Sequence, residues 1–276
     1  MANHGCGAPL CTVLQETHLA FSTRRGEAMN ADTMIEIEHL TKRFGSFCAV
    51  KDISIKIPRG QIFAFLGPNG AGKTTTIKMM VGLLRPSEGS IHLAGLPMAH
   101  DAVSAKKLIA YIPDTPYLYE HLTAEEFFRF TGDLYGVAKS RVDSELPASF
   151  QLFRIYESRN VLIRDFSHGM RQRLIYCASL LHDPSVFFID EPLIGLDPQS
   201  IRMIKDLLQQ KAREGMTIFL TTHILALAED IADRIGIISH GELIIIGTAQ
   251  ELITKTGVNG GLEEAFLALT EKDGTA

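Results

Sequence analysis

Residues 61–76, QIFAFLGPNGAGKTTT, constrain the fold more than any other stretch of this chain. Ile62 to Leu66 form a short apolar run of the kind that makes a strand buried on both faces. Gly67, Gly70 and Gly72, Lys73, and the threonines Thr74, Thr75 and Thr76 follow. Ile77, Met80, Val81 and Leu84 then recur at three- and four-residue spacings, the period of a helix. Strand, GxxxxGK(S/T) and helix, in that order, make a phosphate-binding loop. The three glycines admit backbone conformations that a Cβ obstructs. The loop Gly67-Pro68-Asn69-Gly70-Ala71-Gly72 therefore folds into a nest of inward N–H groups. The helix that starts near Gly72 adds roughly half a positive charge at its N-terminus. Lys73 is placed to reach the outer phosphates of a nucleotide, and the Thr74 hydroxyl to ligate Mg²⁺.

The 276 residues are ample for a real core. A net charge of -5 argues against a chain that lives on nucleic acid, which carries a basic face. No apolar run approaches the roughly 20 residues needed to span a bilayer, so work at a membrane requires another attachment. The four cysteines form no disulfide framework, which suits a reducing compartment.

Residues 1–33 show no sustained period and read as a loosely ordered extension, with Met29 and Met34 as alternative starts. Cys6, Cys11 and His4 fit no standard zinc spacing. From Met34 the pattern changes: Ile35, Ile37 and His39 alternate with Glu36, Glu38 and Leu40, and Ile53, Ile55 and Ile57 with Ser54 and Lys56. That period of two predicts half-exposed antiparallel strands. Leu108 to Ile112 reads as a further strand. Thr123 with Glu126 predicts a helix N-terminus, followed by a stripe of Phe127, Phe130 and Leu134. Residues 141–160 read as helical, interrupted at Pro147. Residues of about 115–165 thus form a helical subdomain inserted into an α/β core. Val186 to Ile189 and Thr217 to Leu220 are two more buried strands separated by a helix from about Pro198. Strands alternating with helices imply a mainly parallel sheet. The expected fold is α/β: a P-loop NTPase core over 34–247 with an antiparallel β subdomain, then a short helical tail over 248–276.

Asp190 follows four apolar strand residues, at the strand end where ligands of open α/β sheets collect. Its hard oxygens suit Mg²⁺. Glu191 next to it is positioned to orient or deprotonate an attacking water. Here the sequence resembles the ATP-binding cassette family, the ATPase subunits of ABC transporters. The resemblance rests on GPNGAGKTT (Gly67 to Thr75), FSHGM (Phe166 to Met170), VFFIDEP (Val186 to Pro192), GLDP (Gly195 to Pro198) and His223. It covers roughly Met34 to Gly247.

The resemblance implies ATP and Mg²⁺ as cofactors, with ATP hydrolysis as the activity. Phe44 would stack on adenine and Val50 would add an apolar contact. Lys73, Thr74 and Thr75 would handle phosphates and metal. Ser167 and Gly169 would grip the γ-phosphate of a nucleotide held by a second subunit, and Asp197 would lie at that junction. His223 would contact the γ-phosphate and the attacking water. Partners would be a second copy, or another ABC ATPase, and an integral membrane permease, with the chain peripheral on the cytoplasmic face. No nucleic acid is expected, although a soluble ABC ATPase acting on DNA or the ribosome is the rival reading.

Two positions depart from the family pattern. Asp114 replaces a glutamine, about 1.5 Å shorter in reach, and is expected to hold the metal through water. His168 replaces a signature glycine. Tyr117, Leu118 and Tyr119 beside Asp114 either dock the permease or pack within the insert. YIPDTPYLYEHLT, GLDP and LEEAFLAL look like stand-alone ATPase subunits of bacterial exporters.

Overall fold

The computed structural model describes residues 32–99, 102–193, 196–258 and 260–270. The extension expected over 1–33 lies outside the described residues up to position 31, as do Gly195 and the end of the tail from 271. The strands are β1 (Thr33–Phe44), β2 (Phe47–Pro58), β3 (Ile62–Leu66), β4 (Glu88–Leu93), β5 (Leu96–Pro97), β6 (Ile109–Ile112), β7 (Val186–Asp190), β8 (Thr217–Thr222), β9 (Arg234–Ser239) and β10 (Glu242–Gly247). They form a four-stranded antiparallel sheet, β2-β1-β4-β5, and a six-stranded sheet, β10-β9-β3-β8-β7-β6. In the larger sheet β3 pairs in parallel with β8 and β9, and β7 with β8 and β6; β10 alone runs antiparallel, along the edge.

The continuous apolar runs have a simple cause. Every residue of β3, β7 and β8 is buried, and successive side chains enter opposite layers. Phe63, Phe65, Phe188 and Phe219 join one core with the antiparallel sheet. Ala64, Leu66, Phe187 and Ile189 join the other, with the helices. Phe63 stacks on Phe219 with centroids 5.5 Å apart.

The helices are α1 (Lys73–Met80), α2 (Ala102–Lys107), α3 (Ala124–Tyr135), α4 (Lys139–Leu152), α5 (His168–Ser179), α6 (Pro198–Arg213), α7 (Leu225–Ile231), α8 (Ala249–Thr256) and α9 (Leu262–Thr270). The Thr123–Glu126 capping box forms as the sequence predicts, with Glu126 N donating to Thr123 Oγ1 at 3.2 Å and Thr123 N to Glu126 Oε2 at 2.8 Å. The buried stripe of α3, however, is Ala124, Phe128 and Gly132. A Cβ on Gly132 would come within 2.7 Å of Val142, so α3 and α4 approach too closely for any larger residue. Phe127 and Phe130 are instead half-buried, and Leu134 is exposed.

Pro147 does not interrupt α4. It lies on the exposed side, where solvent satisfies the carbonyl left without a donor, while Val142, Leu146 and Phe150 anchor the other side. The alternation of β1 also slips. His39 has φ 49°, and the register steps from Ile37↔Ile55 to Leu40↔Ile53. This bulge exposes His39 and buries Leu40, reversing the expected phase. Ahead of β6, the turn of α2 was not legible as a helix.

Candidate active site

The phosphate loop spans the gap between β3 and α1. Gly70 and Gly72 take φ values of 81° and 111°. A Cβ at Gly67 would lie 2.4 Å from the Ile238 carbonyl oxygen, and one at Gly72 would lie 2.7 Å from that of Ala49. The loop is thus wedged between β9 and β2, and glycine is the residue that fits at both contacts. Gly241 N donates to Ala71 O at 3.0 Å and fastens the loop to the β9–β10 turn. Pro68, Asn69, Gly70 and Thr74 remain exposed, while Thr75 is half-buried. Lys73 is buried, and its Nζ donates to Gly67 O at 2.7 Å and Pro68 O at 3.1 Å. Burial lowers its pKa, and the charges of Glu191 and Asp190 pull it back up.

Asp190 ends β7 fully buried. Its Oδ1 accepts from the Thr221 hydroxyl and, at 3.5 Å, from Thr74 Oγ1. Its Oδ2 is buried without a hydrogen-bond partner. A hard oxygen left unpaired beside the Thr74 hydroxyl suits Mg²⁺, so these side chains fit the ion.

Glu191 takes φ 55°, rare for a residue with a side chain, while its N–H is held by Thr221 O at 3.0 Å. Its Oε1 lies 2.9 Å from His223 Nδ1, and its Oε2 accepts from Thr222 Oγ1 at 3.2 Å. Glu191 keeps 11% of its side chain exposed, against 52% for His223. The carboxylate is therefore shielded and oriented, with the imidazole at its open side. Thr221 and Thr222 were missed as site partners. Their signal was two hydroxyls closing an otherwise apolar strand, immediately before His223. Lys73, Thr74, Asp190, Glu191 and His223 thus share one cluster.

Tyr111 borders this cluster. Burial, then Asp190, then Asp114 push its phenol up to about 12. Asp114 itself is exposed, on the segment leading to Tyr117. Tyr117 is 86% exposed and meets Tyr119 edge to face, which in turn meets Phe130. These side chains line a groove with Leu118, Arg171 and Gln172. Phe44 is half exposed at the end of β1, with Lys42 Nζ 5.0 Å from its ring centroid. Val50 has no exposed surface and lies 3.3 Å from the place a Cβ on Gly72 would occupy. It supports the loop from beneath.

The signature residues form a second cluster. Ser167 is the N-cap of α5, with its Oγ accepting from Met170 N at 3.3 Å, and it is exposed. His168 is the first residue of α5 and has no positive φ, so its position does not demand glycine. Gly169 faces open space: a Cβ there would meet nothing closer than Asp197 Oδ2 at 4.0 Å. Asp197 caps α6, accepting from Gln199 N at 3.0 Å, Ser200 N at 2.9 Å and Ser200 Oγ at 2.7 Å. Those bonds, led by the Ser200 hydroxyl, lower its pKa.

Fold and loop together define an ATP-binding α/β ATPase. A family model described as ABC transporter matches residues 50–194. The chain is 36% identical over 241 residues to the linearmycin resistance ATP-binding protein LnrL of Bacillus subtilis, covering 85% of this chain and 78% of that protein. It is 34% identical over 229 residues to the Nod factor export ATP-binding protein I of Ralstonia nicotianae, covering 83% and 71%. A solved structure of an ATP-binding subunit of an ABC transporter superposes with a TM-score of 0.82 at 33% identity, covering 86% of this chain and 99% of that one. The chain belongs to the ABC transporter ATP-binding family and is an ATPase subunit. Among the described residues no helix is long and apolar enough to cross a membrane.

Proposed function

We propose that this chain drives an integral membrane permease, in an exporter, by closing as a dimer around ATP and Mg²⁺ and opening on hydrolysis. The second protomer is another copy or a related ABC ATPase, and the chain sits peripherally on the cytoplasmic face. Lys73, Thr75 and the loop N–H groups hold the phosphates, and Phe44 offers its exposed ring to adenine. Thr74 and Asp190 hold Mg²⁺, with Asp114 acting through water; when bound, the ion neutralises phosphate charge and leaves the terminal phosphorus open to attack. Glu191 accepts the proton of the attacking water. An ionised carboxylate only accepts hydrogen bonds, so His223 donates from Nδ1; Nε2 of the neutral ring then accepts from the attacking water, and only the doubly protonated ring donates to the γ-phosphate.

The observation that supports closure is the openness of the second cluster. Ser167, Gly169 and the N-terminus of α5 present a hydroxyl, N–H groups and a partial positive charge to solvent. That chemistry grips an anion, and Lys73 belongs to the other cluster. Exposed Tyr117 and Tyr119 and their groove suit the permease, since aromatic residues at a groove are common in interfaces. The exporter assignment leans on relatives named for linearmycin resistance and Nod factor export.

Glu191→Gln tests this. It should cut turnover at least about a hundredfold and trap a dimer with ATP and Mg²⁺, visible by sedimentation. A monomer under those conditions, with ATP bound, refutes closure.

A further inference from the structure

β8 ends in two threonines, and each gives its hydroxyl to a different member of the Asp190–Glu191 pair. Burying a hydroxyl is costly unless it is bonded, and the apolar Ile218 to Leu220 before them gives no reason for two. Thr221 is in register with Asp190 across the parallel pair β7–β8, so the two side chains share a face. The Thr221 hydroxyl donates to Asp190 Oδ1, the oxygen that Thr74 Oγ1 also approaches at 3.5 Å. Oδ2 takes no donor from the protein. Thr222 Oγ1 accepts from Ile224 N at 3.0 Å, closing a short turn, and lies 3.2 Å from Glu191 Oε2. A hydroxyl has one proton and an ionised carboxylate only accepts, so that proton goes to Oε2. Neither threonine has any exposed surface, which keeps bulk water from both bonds.

Building on the metal site and the base proposed above, we propose that Thr221 and Thr222 are positioning residues that assign the two adjacent carboxylates to separate tasks. Two carboxylates one residue apart offer a hard cation the same kind of oxygen, so charge alone does not decide which of them it takes. Thr221 pins Asp190 by Oδ1 and leaves Oδ2 as the oxygen for the ion. Thr222 holds Glu191 by Oε2 while His223 Nδ1 holds Oε1 at 2.9 Å, which fixes the plane of the carboxylate. Each carboxylate oxygen has two lone-pair sites, so one on each remains for the attacking water. The backbone reinforces the division: the Thr221 carbonyl holds the Glu191 N–H at 3.0 Å, at a φ of 55° that ends the regular course of β7.

Two readouts on the full chain separate the tasks: Mn²⁺ binding to the ADP complex, followed by electron paramagnetic resonance, and steady-state ATPase kinetics. Thr221→Val exchanges the hydroxyl for a methyl and should weaken Mn²⁺ about tenfold, the usual scale for losing a group behind a metal ligand. Thr222→Val should leave Mn²⁺ affinity native and lower kcat about tenfold or more with KM unchanged, the mark of a misplaced base. ADP affinity in EDTA should be native in both, and alanine replaces valine if a valine variant fails that check of folding. Thr221→Ser should restore Mn²⁺ affinity, and Thr222→Ser should restore kcat. Native Mn²⁺ affinity in Thr221→Val, weakened Mn²⁺ in Thr222→Val, native kcat in Thr222→Val, or no rescue by serine would each overturn the division. Asp190→Asn and Glu191→Gln test the readings beneath it. Native Mn²⁺ affinity in the first, or native kcat in the second, means that the metal site or the base is itself wrong. If both fail as expected while the threonine variants behave as native, only the role of the threonines falls.

Discussion

The two clusters that carry this family's motifs are built in opposite ways. Around the phosphate loop, most polar groups hold one another, with Asp190 Oδ2 left unpaired: Lys73 rests on the Gly67 and Pro68 carbonyls, and Glu191 is held by Thr222 and His223. Around the signature, Ser167 is exposed, half-buried Gly169 opens onto free space, and the nearby carboxylate of Asp197 is committed to capping its own helix. A buried cluster can hold its geometry alone. An exposed helix N-terminus has unspent donors and acquires a purpose when a ligand arrives from outside. On the proposed scheme, the contrast separates nucleotide binding by one chain from hydrolysis by the assembled pair.

The harshest way to break that contrast is on the buried side. Lys73→Ala should weaken ATP binding by the isolated chain about ten- to hundredfold, the scale of about 1.5–3 kcal/mol for a hydrogen bond to a charged group. Calorimetric titration measures it, and native affinity would remove Lys73 from the phosphates. On the exposed side, Ser167→Asp is the sharper choice than alanine. Aspartate is an equally good N-cap, so α5 and the melting temperature should be retained. The added negative charge would face the partner's γ-phosphate, and ATPase should fall at least about tenfold. ATP affinity of the isolated chain should stay native. Loss of affinity in step with activity would mean that one chain holds the whole site.

Asp114 lies between the two regions. Asp114→Gln should keep ATPase within about threefold of native, since both side chains offer an oxygen to a metal-held water. A collapse of hydrolysis would show that the carboxylate charge itself is needed.

What the sequence made legible follows the same division. The loop, β3, β7 and the Asp190–Glu191 pair could be read because their constraints are local: apolar runs, glycines at fixed offsets, a carboxylate at a strand end. The signature could be read by motif, but its exposure could not, because exposure depends on what packs around α5. Hidden features depend on distant neighbours. His39 leaves the alternation because β1 bulges against β2. Phe128 outranks Phe127 because Gly132 lets α4 come close. Tyr111 read as one more apolar strand residue until Asp190 of the next strand lay beside it.

The smallest expected effect concerns the seam between the helical insert and the sheet. His182 stacks on Tyr135 of α3 with centroids 3.7 Å apart, and its Nε2 lies 3.1 Å from the Ile109 carbonyl of β6. A carbonyl only accepts, so Nε2 carries the proton, and the buried, unpartnered Nδ1 is the site left to protonate. Burial lowers the pKa from 6.5, with Arg141 also lowering it and the Ile109 carbonyl and Asp183 opposing. Below pH 6.5 the unfolded chain then binds a proton at this position more readily than the folded one. Stability is full above that pH and declines as pH falls toward the depressed folded value. His182→Gln retains a donor for Ile109 and does not titrate. Its melting temperature should fall less than that of the native protein between about pH 7.5 and pH 5.5. Equal falls in both proteins would place the acid sensitivity elsewhere and leave the seam a matter of packing alone.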